Sequence, residues 1–144
     1  MVKMMEAKIK KTSKGDMHYS VGAIIKKDGK YLLMDRKKKP FGFACLAGHV
    51  DEGETPEQTL IREVKEESDL DVENSELIAE ETHEWGECSH GVKIHHWYIY
   101  EVDFSGKIKR NHESKSMGWY SIEEIKKLKL EPAWEHWFKK LKII

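Results

Sequence analysis

Apolar and polar positions alternate along several stretches of the chain in the way that is typical of β-strands. Strands are predicted at residues 18–27, 30–37, 41–50, 76–85, 92–104 and 116–120. Asp28 and Gly29, between the first two strands, form the residue pair that favours a two-residue hairpin turn. The third strand should be mostly buried and end near Gly48. The fourth and fifth strands should form a second long hairpin, joined around residues 86–91.

Three segments carry the sequence signals of helices. The central helix should begin after Thr55, which can act as its N-cap, with Pro56 at the first helical position and Gln58 completing a capping box. A helix over SIEEIKKLK should begin at Ser121 through a second capping box, and a last amphipathic helix should begin at Pro132. Strands around a central helix, followed by helices, predict an α/β domain with a mixed sheet.

Length and composition narrow the class of protein. The 144 residues are 39% hydrophobic and 35% charged, which suits a single globular domain spanning 1–144. The 25 basic and 26 acidic residues nearly cancel to a net charge of −1, so the basic excess typical of nucleic-acid binders is absent and no nucleic-acid partner is expected. The charged N-terminus and the lack of a long apolar run predict no signal peptide and no membrane segment. Cys45 and Cys88 lack CxxC spacing, which favours free thiols in the cytoplasm. Whether the chain is a monomer or a homodimer stays open.

The central helix combines an apolar arc with an acidic cluster. The arc, expected to pack on the sheet, comprises Leu60, Ile61 and Val64. The acidic cluster, expected on the side turned away from the sheet, comprises Glu63, Glu66 and Glu67. These acids stand at i, i+3 and i+4, where like charges destabilise a helix by about 0.2–0.5 kcal/mol per pair. A solvated surface with an Arg62–Glu66 ion pair is the simplest interpretation, but it leaves two carboxylates crowded.

Three converging carboxylates are better explained as a site for a hard cation. Oxygen ligands suit Mg²⁺ or Mn²⁺, and the ion cancels the repulsion between the acids. Magnesium usually keeps several waters and is completed by substrate phosphates. The chemistry that such a site predicts is metal-assisted attack of water on a phosphoanhydride.

The residues around this cluster fit a known pattern, G-x5-E-x7-R-E-U-x-E-E-x-G-U, in which U is aliphatic. The matching positions are Gly48, Glu54, Arg62, Glu63, Val64, Glu66, Glu67 and Leu70. On these residues the chain resembles the Nudix hydrolases, most closely their MutT-like members. The resemblance implies an α/β/α sandwich with a mixed sheet and a catalytic loop–helix–loop. It also implies hydrolysis of a pyrophosphate bond, with Mg²⁺ or Mn²⁺, in a nucleoside diphosphate linked to another moiety, such as a (d)NTP, ADP-ribose or a nucleotide sugar.

The resemblance also implies roles for individual residues. The implied metal ligands are the Gly48 carbonyl and the side chains of Glu63, Glu66 and Glu67. Glu63 is a ligand or the general base, and the sequence does not decide whether Glu63 or a residue from another loop is the base. Arg62 and Glu54 are expected to pair and to hold the loop against the helix, orienting Glu63.

Two positions depart from the family pattern. Asp69 stands where the family has a glycine after the helix. Asp is among the few residues that tolerate a left-handed backbone, so the expected cost is in stability rather than in catalysis. Ala47 replaces a glycine upstream, which should stiffen the turn, while Gly48 is retained.

The loop before the last strand contains a candidate for a further metal ligand. Glu113 lies six residues before Trp119, which loosely matches a glutamate that MutT-like members place in a comparable loop. A solvated loop acid is an equally good interpretation. The competitors on the preceding hairpin are Glu80, Glu81 and Glu84.

Substrate contacts are predicted from basic and aromatic residues. The residues chosen are Arg36 and Lys39 for phosphates, and Phe43 and Trp119 for stacking on a base. Phe41 and Trp85 are further stacking candidates, although each aromatic is individually more typical of a core. The histidines at positions 83, 90, 95 and 96 lack metal-ligand spacing with cysteines and are interpreted as structural, with the last two on opposite faces of a strand.

Three other functions remain open at this stage. A nucleotide-sensing module with this fold would usually have lost one of the acids, and all are present here. An isomerase of prenyl diphosphates would need a cysteine and a further glutamate in the cleft, for which Cys45 is the available thiol. A protein-interaction domain would carry only a vestigial metal site, and metal titration would reveal it.

Overall fold

Eight strands and three helices make up residues 7–85 and 91–144, the part of the chain that the computed structural model describes. The strands are β1 (Ile9–Thr12), β2 (Gly15–Lys27), β3 (Lys30–Arg36), β4 (Phe43–Ala44), β5 (Leu46–His49), β6 (Asp71–His83), β7 (Ile94–Ser105) and β8 (Ser114–Tyr120). The helices are α1 (Pro56–Ser68), α2 (Ile122–Ile125) and α3 (Pro132–Lys140). None of these helices is long and apolar enough to cross a membrane.

The long strand β2 organises a mixed sheet. It pairs in parallel with β7, from Met17 opposite Ile94 to Ile25 opposite Val102. It pairs in antiparallel fashion with β1, β3 and β5. Strand β6 extends the sheet beyond β7, while β4 and β8 both pair with β3. This order brings β5, which precedes the central helix, directly against the central strand.

Helices cover both faces of the sheet, each over its own hydrophobic cluster. On one face, Leu60 and Val64 of α1 pack with alternate β2 residues such as Val21. On the other face, Trp134 of α3 packs in the cluster that contains Ile24. A Cβ on Gly22 would lie 2.5 Å from the Trp134 ring, so only glycine allows the helix to approach this closely. The result is the expected α/β/α sandwich.

The predicted elements are confirmed with three corrections. The segment 41–50 is two strands rather than one, because β4 pairs with β3 whereas β5 pairs with β2. Ile61 is 53% exposed and does not pack on the sheet, because the buried arc of α1 narrows to the i, i+4 pair Leu60 and Val64. Helix α2 ends at Ile125, well before the predicted end. The link predicted between β6 and β7 includes residues 86–90, which lie outside the described part.

Helix α1 is bounded by the caps that the sequence predicts. The Thr55 hydroxyl accepts a hydrogen bond from the Gln58 backbone N–H at 3.2 Å, and the Gln58 side chain accepts one from the Thr55 N–H at 2.9 Å. At the other end, Asp69 is left-handed, with φ 65° and ψ 12°, and its N–H donates to the Lys65 carbonyl. Asp69 therefore adopts the left-handed conformation in which the family pattern places a glycine.

The left-handed Asp69 makes a testable prediction about stability. Asp69→Gly should raise the free energy of unfolding by about 0.5 kcal/mol, because glycine adopts positive φ without steric cost. Asp69→Val should lower it by about 1–2 kcal/mol. Asp69→Asn, which tolerates the same backbone but removes the exposed ion pair with Lys65, is the control. Urea unfolding of the four proteins measures this, and equal midpoints would contradict it.

Candidate active site

The acidic cluster of α1 is packed against the loop that leaves β5. Glu63 lies directly over Gly48, since a Cβ on that glycine would stand 2.1 Å from Glu63 Cδ. Any other residue at position 48 would displace this carboxylate. The glycine of the sequence pattern is thus explained by close packing between the loop backbone and a helix side chain.

Arg62 is the centre of a hydrogen-bond network that ties the loop to the helix. Its Nε and Nη2 donate to the two carboxylate oxygens of Glu54 at 2.8 and 2.9 Å. Its Nη1 donates to Glu63 Oε1 at 2.8 Å and to Glu66 Oε2 at 3.3 Å, and Nη2 also donates to the His49 carbonyl at 3.1 Å. The hydrogen bond between Arg62 and Glu54 raises the pKa of the guanidinium and lowers that of the carboxyl. The pairing of these two residues is as predicted.

Two further side chains of this network were not predicted from the sequence. Asp51 Oδ2 lies 3.3 Å from Arg62 Nη2, and the Thr59 hydroxyl donates to Glu54 Oε1 at 3.0 Å. Burial raises the pKa of Asp51, against the opposing charge of Arg62. Both residues lie close to the motif in sequence, yet nothing in their spacing distinguishes them from ordinary loop and helix residues.

Glu67 is the most deeply buried acid of the cluster. It is only 2% exposed, which corrects the prediction that it flanks a face turned away from the sheet. Its carboxyl group hydrogen-bonds to that of Glu63. Burial is the main cause that raises the pKa of both groups, and their proximity raises that of Glu67 further. Apart from the contact with the Glu63 carboxyl group, Glu67 Oε2 has no hydrogen-bond partner among the described residues.

Glu66 and Glu113 complete the acidic edge of the site. Glu66 is 56% exposed and lies on the open side of the cluster. Glu113 lines the same cavity and its charge raises the pKa of Glu67, whereas Arg36 acts on that pKa in the opposite direction. The structure therefore places Glu113 beside the cluster, at the position that the family resemblance indicated.

Asn111 holds the Glu113 loop against α1. Its side-chain amide donates to the Glu66 carbonyl at 3.0 Å, and its side-chain oxygen accepts from the Glu113 N–H at 2.9 Å. The backbone N–H of Lys109 adds a bond to the Ser68 carbonyl at 2.7 Å. This tether depends on a contact between distant segments, so no sequence signal could have revealed it.

The acids open onto a cavity of about 380 Å³. Its lining residues include the cations Arg36 and Lys38, the aromatics Trp85, Trp97 and Trp134, and the histidines His49, His83 and His95. The lining therefore combines carboxylates and two cations with indole and imidazole rings. Such a combination suits a ligand with an anionic part and a flat, π-bonded part.

Three of the predicted substrate residues lie outside this cavity. Lys39 is exposed, and its neighbour Lys38 lines the cavity instead. Phe43 packs in the α3-side cluster against Tyr120, at 5.6 Å between ring centres. Trp119 stacks on Phe104 on the α1 side of the sheet, at 5.5 Å. Of the predicted set, only Arg36 reaches the cavity, where its Nε donates to the Pro40 carbonyl at 2.8 Å.

The hairpin glutamates are occupied by other partners. Glu84 pairs with Lys14, and Glu80 with His96. Glu81 contacts His83, His136 and Lys140. Glu113 is therefore better placed than these competitors to act with the α1 acids.

The opposite faces predicted for His95 and His96 are confirmed. His95 is buried near His18, while His96 lies beside Tyr19. His83 and His95 are both buried and line the cavity. Position 90 lies outside the described residues.

The residues present fit a divalent cation. Glu67 presents a buried oxygen without a partner in the described part of the chain, and Glu63 shares its environment. Glu66 stands on the open side of the same cluster. Carboxylate oxygens are the ligands that Mg²⁺ and Mn²⁺ prefer, and an ion would offset the cost of burying like charges.

Comparison with known proteins agrees with the class that this fold and site define, hydrolases of acid anhydrides. A model described as the NUDIX domain matches residues 16–141, and the chain therefore belongs to the Nudix hydrolase family. It is 32% identical over 118 residues to the CTP pyrophosphohydrolase of Escherichia coli (strain K12), which covers 78% of this chain and 82% of that protein. It is also 32% identical over 112 residues to the ADP-ribose pyrophosphatase of Methanocaldococcus jannaschii, covering 76% and 64%.

Solved structures show the same fold. The solution structure of the E. coli ORF135 protein has a TM-score of 0.65 at 32% identity, covering 81% of this chain and 82% of that one. The crystal structure of the MutT NUDIX hydrolase from Burkholderia pseudomallei has a TM-score of 0.67 at 26% identity, covering 75% and 85%.

The buried Glu67 and the partly buried Glu63 predict an unusual pH dependence of stability. Because burial raises both pKa values above the ordinary 4.5, the folded, metal-free protein holds protons that the unfolded chain releases. This stabilisation is complete below pH 4.5 and is lost as the pH rises through about 7 and above. In EDTA at pH 8, Glu67→Gln should therefore increase the free energy of unfolding by about 1–3 kcal/mol, since it removes one buried charge.

The measurement is urea unfolding of the wild type and Glu67→Gln between pH 5 and pH 8 in EDTA, with Glu52→Gln as an exposed control. The advantage of Glu67→Gln should shrink towards pH 5, and Mg²⁺ should stabilise the wild type more than the variant. A variant that is less stable than wild type at pH 8 would show that ionisation of these carboxyl groups does not destabilise the fold, and would contradict the prediction.

Proposed function

We propose that the chain hydrolyses a phosphoanhydride bond in a nucleoside diphosphate linked to another group, with Mg²⁺ or Mn²⁺ bound by the α1 acids. The observation that carries this proposal is the pairing of the buried Glu67 with the partly buried Glu63 beside Gly48. One Glu67 oxygen has no hydrogen-bond partner in the described part of the chain, and Glu67 lines a cavity that also contains cationic side chains. Buried like charges persist where something compensates them. A divalent cation together with substrate phosphates is the compensation that this site fits.

The residues that would hold the ion are Glu66, Glu67 and the Gly48 carbonyl, with Glu63 and Glu113 beside them. When bound, the ion would acidify a coordinated water and neutralise phosphate charge. Water then attacks phosphorus, the bridging P–O bond breaks, and a phosphate-bearing group leaves with the bond electrons.

Glu63 is the proton acceptor that the surroundings favour. Its pKa, raised by burial to about 7, suits a base that works near neutral pH. Arg62 Nη1 donates to Glu63 Oε1, which orients the carboxylate, and Arg62 is itself fixed by both oxygens of Glu54. Glu113 is the second candidate for this role, since it lines the same cavity and its charge acts on the neighbouring Glu67.

The residues that line the cavity indicate the class of substrate. Arg36 and Lys38 can pair with phosphate oxygens, and Trp85, which is 43% exposed, presents an indole ring for stacking. The two relatives described above are named for CTP and for ADP-ribose, so both compounds belong in the first assay. The leaving group is inorganic pyrophosphate in the first case and a phosphorylated sugar in the second.

Among the described residues, no thiol is placed where the isomerase alternative needs one. Cys45 is fully buried and burial raises its pKa well above the ordinary value. It is not among the residues that line the cavity. A thiol that neither ionises nor reaches substrate cannot serve as an acid or base.

The test is a hydrolysis assay on CTP, other NTPs, dNTPs, ADP-ribose, dinucleoside polyphosphates and nucleotide sugars. Each compound is assayed with Mg²⁺, with Mn²⁺ and in EDTA. We expect turnover of at least one of these compounds that depends strictly on the cation. Glu67→Gln should lower kcat by about 10³-fold or more while the domain stays folded. Glu76→Gln, on the exposed part of β6, is the matched control and should retain wild-type kinetics. Full turnover in EDTA, or a wild-type rate in Glu67→Gln, would refute the proposed mechanism.

A further inference from the structure

Three histidines from three strands converge on the sheet face that α3 covers. His18 of β2 is opposite His95 of β7 in the parallel ladder, and His49 of β5 is opposite Ser20, two residues from His18. Residues two apart on a strand share a face, so all three rings project to the same side. The ring centres of His18 and His49 are 4.4 Å apart, and each lies 6.0 Å from that of His95.

The hydrogen bonds of His95 leave one nitrogen available as a ligand. Its Nε2 lies 2.8 Å from the Val92 carbonyl, and because a carbonyl only accepts, Nε2 carries the proton. In the neutral ring Nδ1 then carries the lone pair. Nδ1 is buried and, within residues 7–85 and 91–144, has no hydrogen-bond partner. A ring nitrogen that donates to a backbone carbonyl while the other stays free is the usual arrangement of a metal-bound imidazole.

We propose that His18, His49 and His95 form a second cation site, for Zn²⁺ or a related transition metal. One nitrogen from each ring lies within 4.8 Å of the other two. The nitrogen ligands of a tetrahedral zinc stand about 3.4 Å apart, so modest ring rotations bring these atoms into range. His49 and His95 also line the cavity, which gives an ion its entry path and leaves room for a water as fourth ligand.

The ligand type separates this site from the acidic one. Three imidazoles suit Zn²⁺, Co²⁺, Ni²⁺ or Cu²⁺, whereas the carboxylates of α1 suit Mg²⁺. Neighbouring residues of a strand point to opposite faces, so Gly48 adjoins the acids while the His49 side chain belongs to the imidazole site. The two sites are therefore chemically independent, and binding at the histidines does not require that the proposed hydrolysis be correct.

A second group on the same face does not qualify. His83 and His136 both contact Glu81 Oε1 through Nε2, at 2.5 and 2.9 Å, and Lys140 is ion-paired to the other oxygen. The carboxylate is thus already matched by three donors. His83 Nδ1, like His95 Nδ1, has no hydrogen-bond partner among the described residues, but an ion at this group would have to displace the Nε2 protons and Lys140 from Glu81. At the group of His18, His49 and His95, an ion would bind the His95 nitrogen that has no partner in the described part of the chain.

An ion held by the three histidines would stabilise the end of β5, from which the chain continues to the acidic helix α1. It would join β2, β5 and β7 at the point where β5 ends, one residue after Gly48. The His49 carbonyl already accepts a hydrogen bond from Arg62 at 3.1 Å, so the backbone of this residue connects the imidazole site to the arginine network. The expected consequence of binding is a more stable fold, independent of turnover.

The experiment uses the full chain, stripped with EDTA and exchanged into buffer that contains millimolar Mg²⁺ to occupy the carboxylates. Zn²⁺ is titrated by calorimetry, and Co²⁺ is added to a second sample as a spectroscopic probe. We expect a single tight equivalent of Zn²⁺, visible d–d absorption from Co²⁺ bound to nitrogen ligands, and a higher Tm with Zn²⁺. His49→Gln and His95→Gln should each weaken Zn²⁺ binding by about 100-fold or more.

The controls test the location of the ion. His112→Gln, in an exposed loop, and Glu67→Gln, at the acidic site, should both keep the tight equivalent. Absence of a tight equivalent in the wild type, or its retention in His49→Gln, would overturn the proposal. Loss in Glu67→Gln would place the ion at the carboxylates instead and would also overturn it. Because His49 is only partly buried, its variant decides the question even if His95→Gln does not fold.

Discussion

The packing of a buried glutamate against a partly buried one is the constraint on which this structure depends. Glu67 and Glu63 lie between α1 and the end of β5, where burial disfavours the charged form of each and the charge of Glu63 further disfavours that of Glu67. One guanidinium holds the arrangement in place, since Arg62 is bound to both oxygens of Glu54 and still donates to Glu63. Gly48 provides the space. These features support the proposed cation site, in which a bound ion would offset the cost of burying the carboxyl groups.

Local rules predict the scaffold of the site well. The caps at Thr55 and Asp69, the pairing of Arg62 with Glu54 and the hairpin turn at Asp28, with its positive φ, all follow from residues close in sequence. Sequence spacing also predicts that the acids cluster. It cannot predict which of them is buried, because the depth of Glu67 is set by the sheet beneath the helix and not by the helix itself.

Contacts between distant segments explain what the sequence could not predict. Asn111 acts on α1 only because the loop before β8 folds back over the helix end. The histidine group exists because a parallel register places His18 opposite His95. Conversely, Phe43 and Trp119 have the composition of stacking residues, but the sheet directs them into the two hydrophobic clusters. The residue types thus predicted the kind of chemistry at the site better than they predicted which individual residues form it.

The central claim is that Glu63 and Glu67 together retain a proton until a divalent cation replaces it. Calorimetric titration of the metal-free protein with Mg²⁺ at pH 6.5, in two buffers of different ionisation enthalpy, measures the protons released per ion bound. The account predicts release of a substantial fraction of one proton, falling as the pH is raised to 8.5 and reduced in Glu67→Gln, in which burial still raises the pKa of Glu63. Heats that are the same in both buffers at pH 6.5 would show that the carboxylates are already ionised, and would contradict it.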